Sequence, residues 1–372
     1  MKDIQKLLRK GVMNIEPYIP GKPIEEVQAE LGISEITKMA SNENPLGPSP
    51  KAVAAMEKEL KNVNLYPEGP CTLLRKEMSR RLGIDEDMIT FSNGADNCIL
   101  LVASAFVNEE DEVLMADLTF FVYKTVTKIM GGRPVYVSLK DYAHDLKAME
   151  KKIGSRTKLI FVCNPNNPTG SVVRKDELDD FITNLPENVI LVLDEAYIEF
   201  ASDKSCPNGL DYIKQGYNVI SIRTFSKLYG IAGVRIGYAV GSKEFITALN
   251  TVREPFPVSL IAQAAALGAL EDEEFKEKVL ENNEEGKAYL YKEFQKMELP
   301  YVPSSTNFIF VDLKRDIKKI FESLLREGII IRPGHLWNYP TSARITIGTM
   351  EQNKKFIGAL KNVLTAPNSI YD

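Results

Sequence analysis

Residues 224–235 read TFSKLYGIAGVR, and short β-rich apolar runs flank them at 219–222 and 236–240. Hydroxyl side chains precede Lys227 in this stretch, and small residues lead from the lysine to Arg235. Apolar runs of this length are typical of buried strands, and glycine-containing segments between them are typical of loops. The stretch therefore predicts a strand, a loop built around one lysine, and a second strand.

Apolar runs of the same kind lie upstream, at 113–115, 134–137, 159–163 and 189–193. Segments with helical periodicity separate several of these runs. Strands that alternate with helices predict a largely parallel sheet covered by helices, which is the α/β class. Functional loops in such sheets lie beyond the carboxyl ends of the strands, so the polar motifs that follow these runs are candidates for a site.

A charged segment near the C-terminus, 271–299, has the pattern of one long helix. Its polar residues form a solvated face, and its buried stripe is predicted to consist of Phe275, Val279, Leu290 and Phe294. After Pro300 the pattern restarts as a second, smaller α/β unit. Its predicted elements are strand 307–311, helix 317–327, strand 329–332, strand 344–347 and helix 351–363.

These patterns predict four parts of the chain. Residues 1–45 form an N-terminal arm and part of the small domain, and residues 46–255 form the large domain. Residues 256–299 form connecting helices, and residues 300–372 form the small C-terminal domain. At roughly 150 residues per domain, a chain of 372 residues accommodates this arrangement.

Composition excludes several kinds of protein. The formal charge of -5 gives no reason to expect nucleic acid or an anionic membrane as a partner, which leaves small molecules. No run approaches the ~20 apolar residues of a membrane span, and the N-terminus lacks a signal-peptide core, so a cytoplasmic location is expected. The four cysteines are far apart and only two histidines accompany them, so neither a metal site nor disulfides are predicted.

The chemistry of the 224–235 stretch suits a phosphorylated aldehyde cofactor, pyridoxal phosphate. A lysine amine forms a Schiff base with an aldehyde, and hydroxyls with an arginine hold a phosphate. We therefore predict that Lys227 binds the aldehyde and that Thr224 and Arg235 bind the phosphate. The alternative from this stretch alone is an exposed turn lysine followed by an ordinary strand arginine.

Two motifs after predicted strands supply groups for the cofactor ring. In NPNNPTG, residues 164–170, the prolines and glycine fix a turn from which Asn167 can donate to the phenolic oxygen. In DEAY, residues 194–197, a carboxylate at a buried strand end needs a partner, and a protonated pyridine nitrogen fits Asp194. Tyr197 is a second donor to the phenolic oxygen. The alternatives are a purely structural turn and a helix-capping acidic pair.

A third motif, NGAD at residues 93–96, precedes the helical pattern 97–106. Free backbone amides at a helix start bind phosphate, so Ala95 and Asp96 are predicted donors. Phe120 is a candidate to lie flat on the pyridine ring. The alternatives are a plain helix cap and a core aromatic. The combination of all these groups at loops of one sheet favours the cofactor site.

The order of NPNNPTG, DEAY, TFSKLYGIAGVRIGY and ARITIG resembles the fold-type I class I and II aminotransferases, essentially from end to end. EPYIPGKP and ASNENPLGPSP near the N-terminus narrow the resemblance to histidinol-phosphate aminotransferases. The resemblance implies pyridoxal phosphate as cofactor and a mostly parallel seven-stranded sheet between helices, with a smaller α/β C-terminal domain. It implies the roles already given to Lys227, Asp194, Asn167, Tyr197, Ala95, Asp96, Thr224 and Arg235.

The resemblance also implies a homodimer with shared active sites, in which Tyr66 reaches the partner's cofactor phosphate. Tyr18, Asn44, Arg332 and Arg344 match positions that line the substrate pocket. A guanidinium binds both phosphate and carboxylate, so the two arginines suit histidinol phosphate and glutamate. The alternative for the arginines is a surface ion pair.

The chain departs from the family pattern at Leu118, where proline is common, at Phe120, where tyrosine is common, and along GHLWNY, residues 334–339. His335 and Trp337 in that segment are expected to be packing residues, although a reshaped pocket is also open. These departures bear on the choice of substrate.

The function implied is a ping-pong transamination. L-Histidinol phosphate and 2-oxoglutarate give imidazole acetol phosphate and glutamate, and Lys227 moves the Cα proton. Three alternatives stay open from the sequence: an aromatic or broad-specificity aminotransferase, a threonine-phosphate decarboxylase, and a non-catalytic pyridoxal-phosphate-binding regulator.

Overall fold

Two β-sheets with helices packed on them organise the chain. The computed structural model describes residues 7–13, 15, 17, 23–202 and 206–365. The strands are β1 (Thr37–Met39), β2 (Ile89–Ser92), β3 (Glu112–Ala116), β4 (Arg133–Val137), β5 (Thr157–Cys163), β6 (Ile190–Asp194), β7 (Val219–Thr224), β8 (Gly237–Val240), β9 (Phe308–Asp312), β10 (Ile329–Pro333) and β11 (Ser342–Thr346).

Thirteen α-helices accompany these strands in the described part of the chain. They are α1 (Ile24–Leu31), α2 (Pro50–Glu59), α3 (Thr72–Leu82), α4 (Ala95–Phe106), α5 (Val122–Ile129), α6 (Leu146–Glu150), α7 (Lys175–Thr183), α8 (Gly209–Lys214), α9 (Lys243–Val252), α10 (Leu260–Leu270), α11 (Glu273–Lys296), α12 (Ile317–Arg326) and α13 (Met350–Thr365). None of them has the length and apolar character needed to cross a membrane.

The large sheet has seven strands in the order β2-β8-β7-β6-β5-β3-β4. The five strands from β7 to β4 are parallel to one another, and β8 runs antiparallel to both β7 and β2. The expected mostly parallel seven-stranded sheet is therefore confirmed. The apolar runs predicted six of its strands, and β2 is the one that they missed.

The central strands are buried on both faces, which explains their continuous apolar runs. In β5, Leu159 and Phe161 pack in the core on one side of the sheet, while Ile160 and Val162 pack in the core on the other side. Side chains of a strand alternate between faces, so one run of apolar residues supplies both cores. Because β5, β6 and β7 are parallel neighbours, their carboxyl ends come together at one edge of the sheet.

The small sheet has four strands in the order β1-β10-β11-β9. β1 comes from the N-terminal part of the chain and pairs parallel with β10, with Thr37 opposite Ile329. β10, β11 and β9 are antiparallel neighbours. A separate core lies between this sheet and helices α11, α12 and α13.

The segment 256–299, predicted to contain connecting helices, divides its packing between the two sheets. Ala262, Ala265 and Ala266 of α10 pack in a core of the large sheet, against α2 and α3. Leu290 and Phe294 of α11 pack in the core of the small sheet. The four-part division of the chain stays a prediction, and the packing leads us to propose a boundary between α10 and α11.

Candidate active site

A cavity of about 300 Å³ opens beyond the carboxyl ends of β5, β6 and β7. Most of the side chains predicted from sequence to form a site line this cavity. They are Ala95, Asp96, Phe120, Asn167, Asp194, Tyr197, Thr224, Lys227, Arg235, Arg332 and Arg344. The structure thus brings together residues that are up to 249 positions apart, from Ala95 to Arg344. No group of side chains suited to holding a metal ion occurs among the described residues.

Lys227 lines the cavity. Its Nζ donates to the carbonyl of Ser41 at 3.4 Å and lies 5.7 Å from the centre of the Tyr197 ring. Burial, reinforced by the positive charge of Arg344, lowers the pKa of the Lys227 amine to about 8. A neutral amine is nucleophilic, so this lysine is suited to covalent attachment of an aldehyde.

The loop after Lys227 depends on Gly230. Gly230 has a φ of +67°, and a Cβ at this position would lie 2.0 Å from the carbonyl oxygen of Gly47. Any larger residue would push the loop away from the segment that contains Gly47. The glycine in the motif therefore lets the Lys227 loop pack directly against the backbone at Gly47.

Asp194 ends β6 with only 2% of its surface exposed. The Tyr123 hydroxyl donates to its Oδ2 at 2.6 Å, and the backbone N–H of Ala196 donates to its Oδ1 at 3.1 Å. Burial raises the pKa of this carboxyl to about 6, with the hydrogen bond from Tyr123 opposing the shift. A buried carboxylate held in this way is suited to a cationic partner such as a pyridinium N–H.

Sequence reasoning missed Tyr123. Its ring stacks on Phe161 of β5 with centroids 4.5 Å apart, and it also contacts Phe120 edge-on at 5.8 Å. The available signal was its position three residues after Phe120, at the start of the helical stretch that forms α5. Phe120 therefore belongs to an aromatic group that backs the cavity.

Tyr197 and Asn167 each hold a polar group at the cavity. The Tyr197 hydroxyl accepts a hydrogen bond from Asn42 Nδ2 at 2.9 Å, and burial raises its pKa, so it stays protonated. The Oδ1 of Asn167 accepts from Arg344 Nη1 at 2.6 Å. With its oxygen occupied in this way, the Asn167 amide offers its Nδ2 as the donor.

Asn42 takes the place that sequence reasoning gave to Asn44. Asn42 lines the cavity, whereas Asn44 donates its Nδ2 to the carbonyls of Lys227, at 3.3 Å, and Leu228, at 2.9 Å. The prediction that Asn44 lines the substrate pocket therefore does not fit this geometry. The left-handed backbone of Asn42, with a φ of 55°, turns the chain between the two asparagines.

The start of α4 forms one end of the cavity. Gly94 precedes the helix with a φ of +84°, and Ala95 and Asp96 are its first residues. Arg235 lies close to this terminus, with Nη2 3.5 Å from Asp96 Oδ2 and Nη1 3.5 Å from Ser226 Oγ. Backbone amides at a helix start, two hydroxyls and a guanidinium form an anion cradle of the kind that holds phosphate.

Ser226 is a further cradle residue that sequence reasoning did not single out. Its Oγ accepts from Thr224 Oγ1 at 2.9 Å, so the two hydroxyls face the same space. The signal was its place between Thr224 and Lys227 in the hydroxyl cluster. Sequence reasoning treated that cluster as a whole and named only the threonine.

Arg332 and Arg344 are direct cross-strand neighbours on β10 and β11. Each is 8% exposed, so the alternative of a surface ion pair does not apply. Arg344 Nη2 donates to the carbonyl of Ala40 at 2.6 Å, in addition to its bond with Asn167. Two buried guanidinium groups at the cavity wall are suited to an anionic substrate group.

Two further predicted residues are not among the side chains that line this cavity in the described part of the chain. Tyr66 is 82% exposed and stacks on Phe256 at 4.7 Å, so it does not contribute to the site of its own chain. Tyr18 lies outside the described residues.

The residues present fit pyridoxal phosphate in each of its functional groups. The cavity offers a lysine with a lowered pKa for the aldehyde, a buried carboxylate for the ring nitrogen, and an anion cradle for the phosphate. Phe120 at the wall supplies an aromatic surface for the ring.

Comparisons with known proteins identify the family of this chain. Residues 34–360 match the family model for aminotransferase class I and II. The chain is 48% identical to a histidinol-phosphate aminotransferase of Moorella thermoacetica, covering 96% of this chain and 92% of the relative. It is 46% identical to that of Caldicellulosiruptor saccharolyticus, covering 96% and 100%.

A solved structure shares the fold over most of its length. The histidinol-phosphate aminotransferase from Sinorhizobium meliloti, in complex with pyridoxal-5'-phosphate, superposes with a TM-score of 0.86. The match covers 93% of this chain and 95% of that protein, at 28% sequence identity.

Proposed function

This chain belongs to the class I and II aminotransferases, and from that we infer that it transfers the amino group of L-histidinol phosphate to 2-oxoglutarate. The products are imidazole acetol phosphate and glutamate, and the reaction belongs to histidine biosynthesis. The enzyme uses pyridoxal phosphate. The observation that carries the proposal is a single cavity that holds Lys227 between an anion cradle and a pair of buried arginines.

We propose the following roles at the cofactor. Lys227 binds the cofactor's aldehyde carbon, and the cradle of Ala95, Asp96, Thr224, Ser226 and Arg235 binds its phosphate. Asp194 keeps the ring nitrogen protonated, because a buried carboxylate is stabilised by an adjacent positive charge. Asn167 and Tyr197 donate to the phenolic oxygen, and Phe120 packs on the ring.

Proton transfer falls to Lys227. When bound, the cofactor withdraws electrons from the Cα of the substrate. In the cofactor-free protein, burial lowers the pKa of the Lys227 amine to about 8, a value that would suit a general base at neutral pH. With the cofactor bound, Lys227 Nζ would take the proton from the substrate Cα and give it back in the course of the transfer.

Arg332 and Arg344 are proposed to bind the anionic end of both substrates. Histidinol phosphate presents a phosphate there, and glutamate and 2-oxoglutarate present a carboxylate. A guanidinium donates paired hydrogen bonds to either anion, so one site can serve both half-reactions. Asn42 contributes to the pocket wall in place of Asn44.

The half-reaction tests the substrate. Purified protein reconstituted with pyridoxal phosphate is mixed separately with histidinol phosphate and with phenylalanine, and visible absorbance is followed. Rapid loss of the band with histidinol phosphate alone is expected. Loss with phenylalanine alone would identify an aromatic aminotransferase, and carbon dioxide release from threonine phosphate would identify a decarboxylase. A reconstituted protein that reacts with none of the three would favour a non-catalytic regulator.

We further propose a cytoplasmic homodimer with shared active sites. Exposed apolar side chains gather in the sequence around Tyr66, including Leu60, Val63, Leu65 and Leu73, which are 57–70% exposed. Several large exposed apolar side chains close together in the sequence are consistent with an interface. A second copy that covers it would bring Tyr66 to the partner's anion cradle, and with a net charge of -5 neither nucleic acid nor membrane is proposed as a partner.

A further inference from the structure

A row of cationic and aromatic side chains links the two sheets across the cavity. From the large-sheet side it runs from Lys227 to Tyr197, whose ring contacts Phe308 edge-on at 5.1 Å. Phe308 lies 5.3 Å from the Arg344 guanidinium carbon, and the Trp337 ring lies 5.6 Å from the same carbon. Trp337, the outermost member of this row, does not line the cavity.

Trp337 is held in place by a tight turn between β10 and β11. The 3₁₀ turn Gly334–Trp337 ends at Asn338, which has a left-handed φ of 64°. A Cβ on Gly334 would lie 2.4 Å from the carbonyl oxygen of Ser342, so the turn packs directly on the following strand. The Trp337 ring also contacts Phe310, which is the cross-strand neighbour of Arg344.

The contact between Trp337 and Arg344 constrains the plane of the guanidinium. Nη1 and Nη2 are fixed by the Asn167 Oδ1 and the Ala40 carbonyl, both at 2.6 Å. An indole is the ring that attracts a cation most strongly, and guanidinium groups stack on aromatic faces. Hydrogen bonds hold both Nη atoms, and the Phe308 and Trp337 rings lie close to the guanidinium carbon. The guanidinium plane of Arg344 therefore has little freedom to tilt.

We propose that Trp337 is a positioning residue that sets the substrate preference of Arg344, an inference that rests on the proposed function of the arginine pair. A carboxylate binds a guanidinium through two parallel bonds in one plane, so it depends on the orientation of that plane. A tetrahedral phosphate presents oxygens in several directions and tolerates tilt. Trp337 therefore favours the dicarboxylate half-reaction over the phosphate half-reaction.

The test uses the cofactor-loaded protein with glutarate and inorganic phosphate as non-reacting probes. W337L is expected to raise the Kd of glutarate about tenfold, corresponding to roughly 1.4 kcal/mol of lost orientation. The Kd of phosphate is expected to change less than about threefold, and W337F to fall between W337L and the parent, since phenylalanine retains a ring. In steady state, the KM for glutamate rises while kcat at saturation stays within about threefold.

L336A, in the same turn, is the matched control, because Leu336 is 36% exposed and lies outside the row. It is expected to leave both dissociation constants unchanged. Equal weakening of glutarate and phosphate in W337L, or no weakening of either, would overturn the role of Trp337. R344Q separates the two proposals, because an unchanged Kd for both probes in R344Q would refute the anion-binding role of the arginine itself.

Discussion

The most consequential single residue is Lys227. Replacement by alanine removes both the covalent attachment point and the proposed proton carrier, so turnover is expected to fall by about 10⁴-fold or more. The anion cradle does not involve the lysine side chain, so Lys227→Ala should still bind pyridoxal phosphate non-covalently. Equilibrium dialysis and steady-state kinetics check the two parts, and near-native turnover in the variant would end the proposal.

The pKa of Lys227 gives a second expectation. In the cofactor-free protein, burial and Arg344 hold the pKa of the amine near 8, so its reactive neutral form grows about tenfold per pH unit up to that value and then levels off. Arg344→Gln removes a neighbouring positive charge and should move the levelling point to higher pH. Modification by an amine-selective reagent, followed at this lysine by peptide mass spectrometry, measures both curves. Superimposable curves would show that Arg344 does not act on the amine.

Asp194 is expected to make the cofactor-free protein less stable as pH rises. Its pKa is raised to about 6 in the folded chain, above the value of 3.8 for an exposed carboxyl. The folded state therefore binds the proton more tightly, and stability is lost as pH rises through about 6, by about 2–3 kcal/mol in total. Asp194→Asn should remove this component from the free energy of unfolding measured between pH 4.5 and 7. Glu43→Gln, which removes an exposed carboxylate that also lines the cavity, is the control.

At the level of elements, the two glycines of the loop after Lys227, Gly230 and Gly233, are expected to contribute unequally to stability. Gly230→Ala places a Cβ against the Gly47 carbonyl and imposes a positive φ on alanine, which is expected to cost about 1–3 kcal/mol. Gly233, in the same loop, has open space within 4 Å of the position that a Cβ would take, so Gly233→Ala is the matched control. Thermal unfolding compares the pair. Equal stability of the two variants would show that the loop relaxes away from Gly47.

The elements also show how far sequence reasoning reaches. β5, β6 and β7 were predicted because burial on both faces produces continuous apolar runs, and the motifs at their ends were predicted because glycine, proline and charged residues interrupt those runs. β2, only four residues long, has no such contrast with its surroundings. It is a strand because β8 pairs with it, which is information that lies 145 or more residues away along the chain.

The site residues likewise include some that the sequence reveals and some that it does not. Lys227, Asp194 and Arg235 carry charges that need partners, so their chemistry is visible in the sequence. Tyr123 and Asn42 act through hydrogen bonds to other site residues, and nothing in their local sequence distinguishes them from ordinary core or turn residues. Only the backbone conformation at Asn42 shows that Asn42, and not Asn44, lines the cavity.

At the scale of the whole molecule, the exposed apolar surface around Tyr66 predicts assembly. Val63→Glu combined with Leu73→Glu places two charges in the proposed interface, and a halved molecular mass is expected in sedimentation. Affinity for pyridoxal phosphate should fall with it, because the partner's tyrosine no longer reaches the cradle. Leu31→Glu, at an exposed apolar position 39% open to solvent at the end of α1, is the control. A double variant that keeps the parent mass would place the interface elsewhere.

In β6, as in β5, alternate side chains pack in the two cores, with Ile190 and Val192 in one and Leu191 and Leu193 in the other. This alternation limits which sequence changes the two strands can tolerate. Adding or deleting one residue within either strand would turn every later side chain of that strand to the opposite face. In β6 the same slip would carry Asp194 away from the cavity, so one lesion would damage both cores and the site together. Changes of length in this lineage are therefore expected to accumulate in the surface connections, while the central strands vary only by substitution.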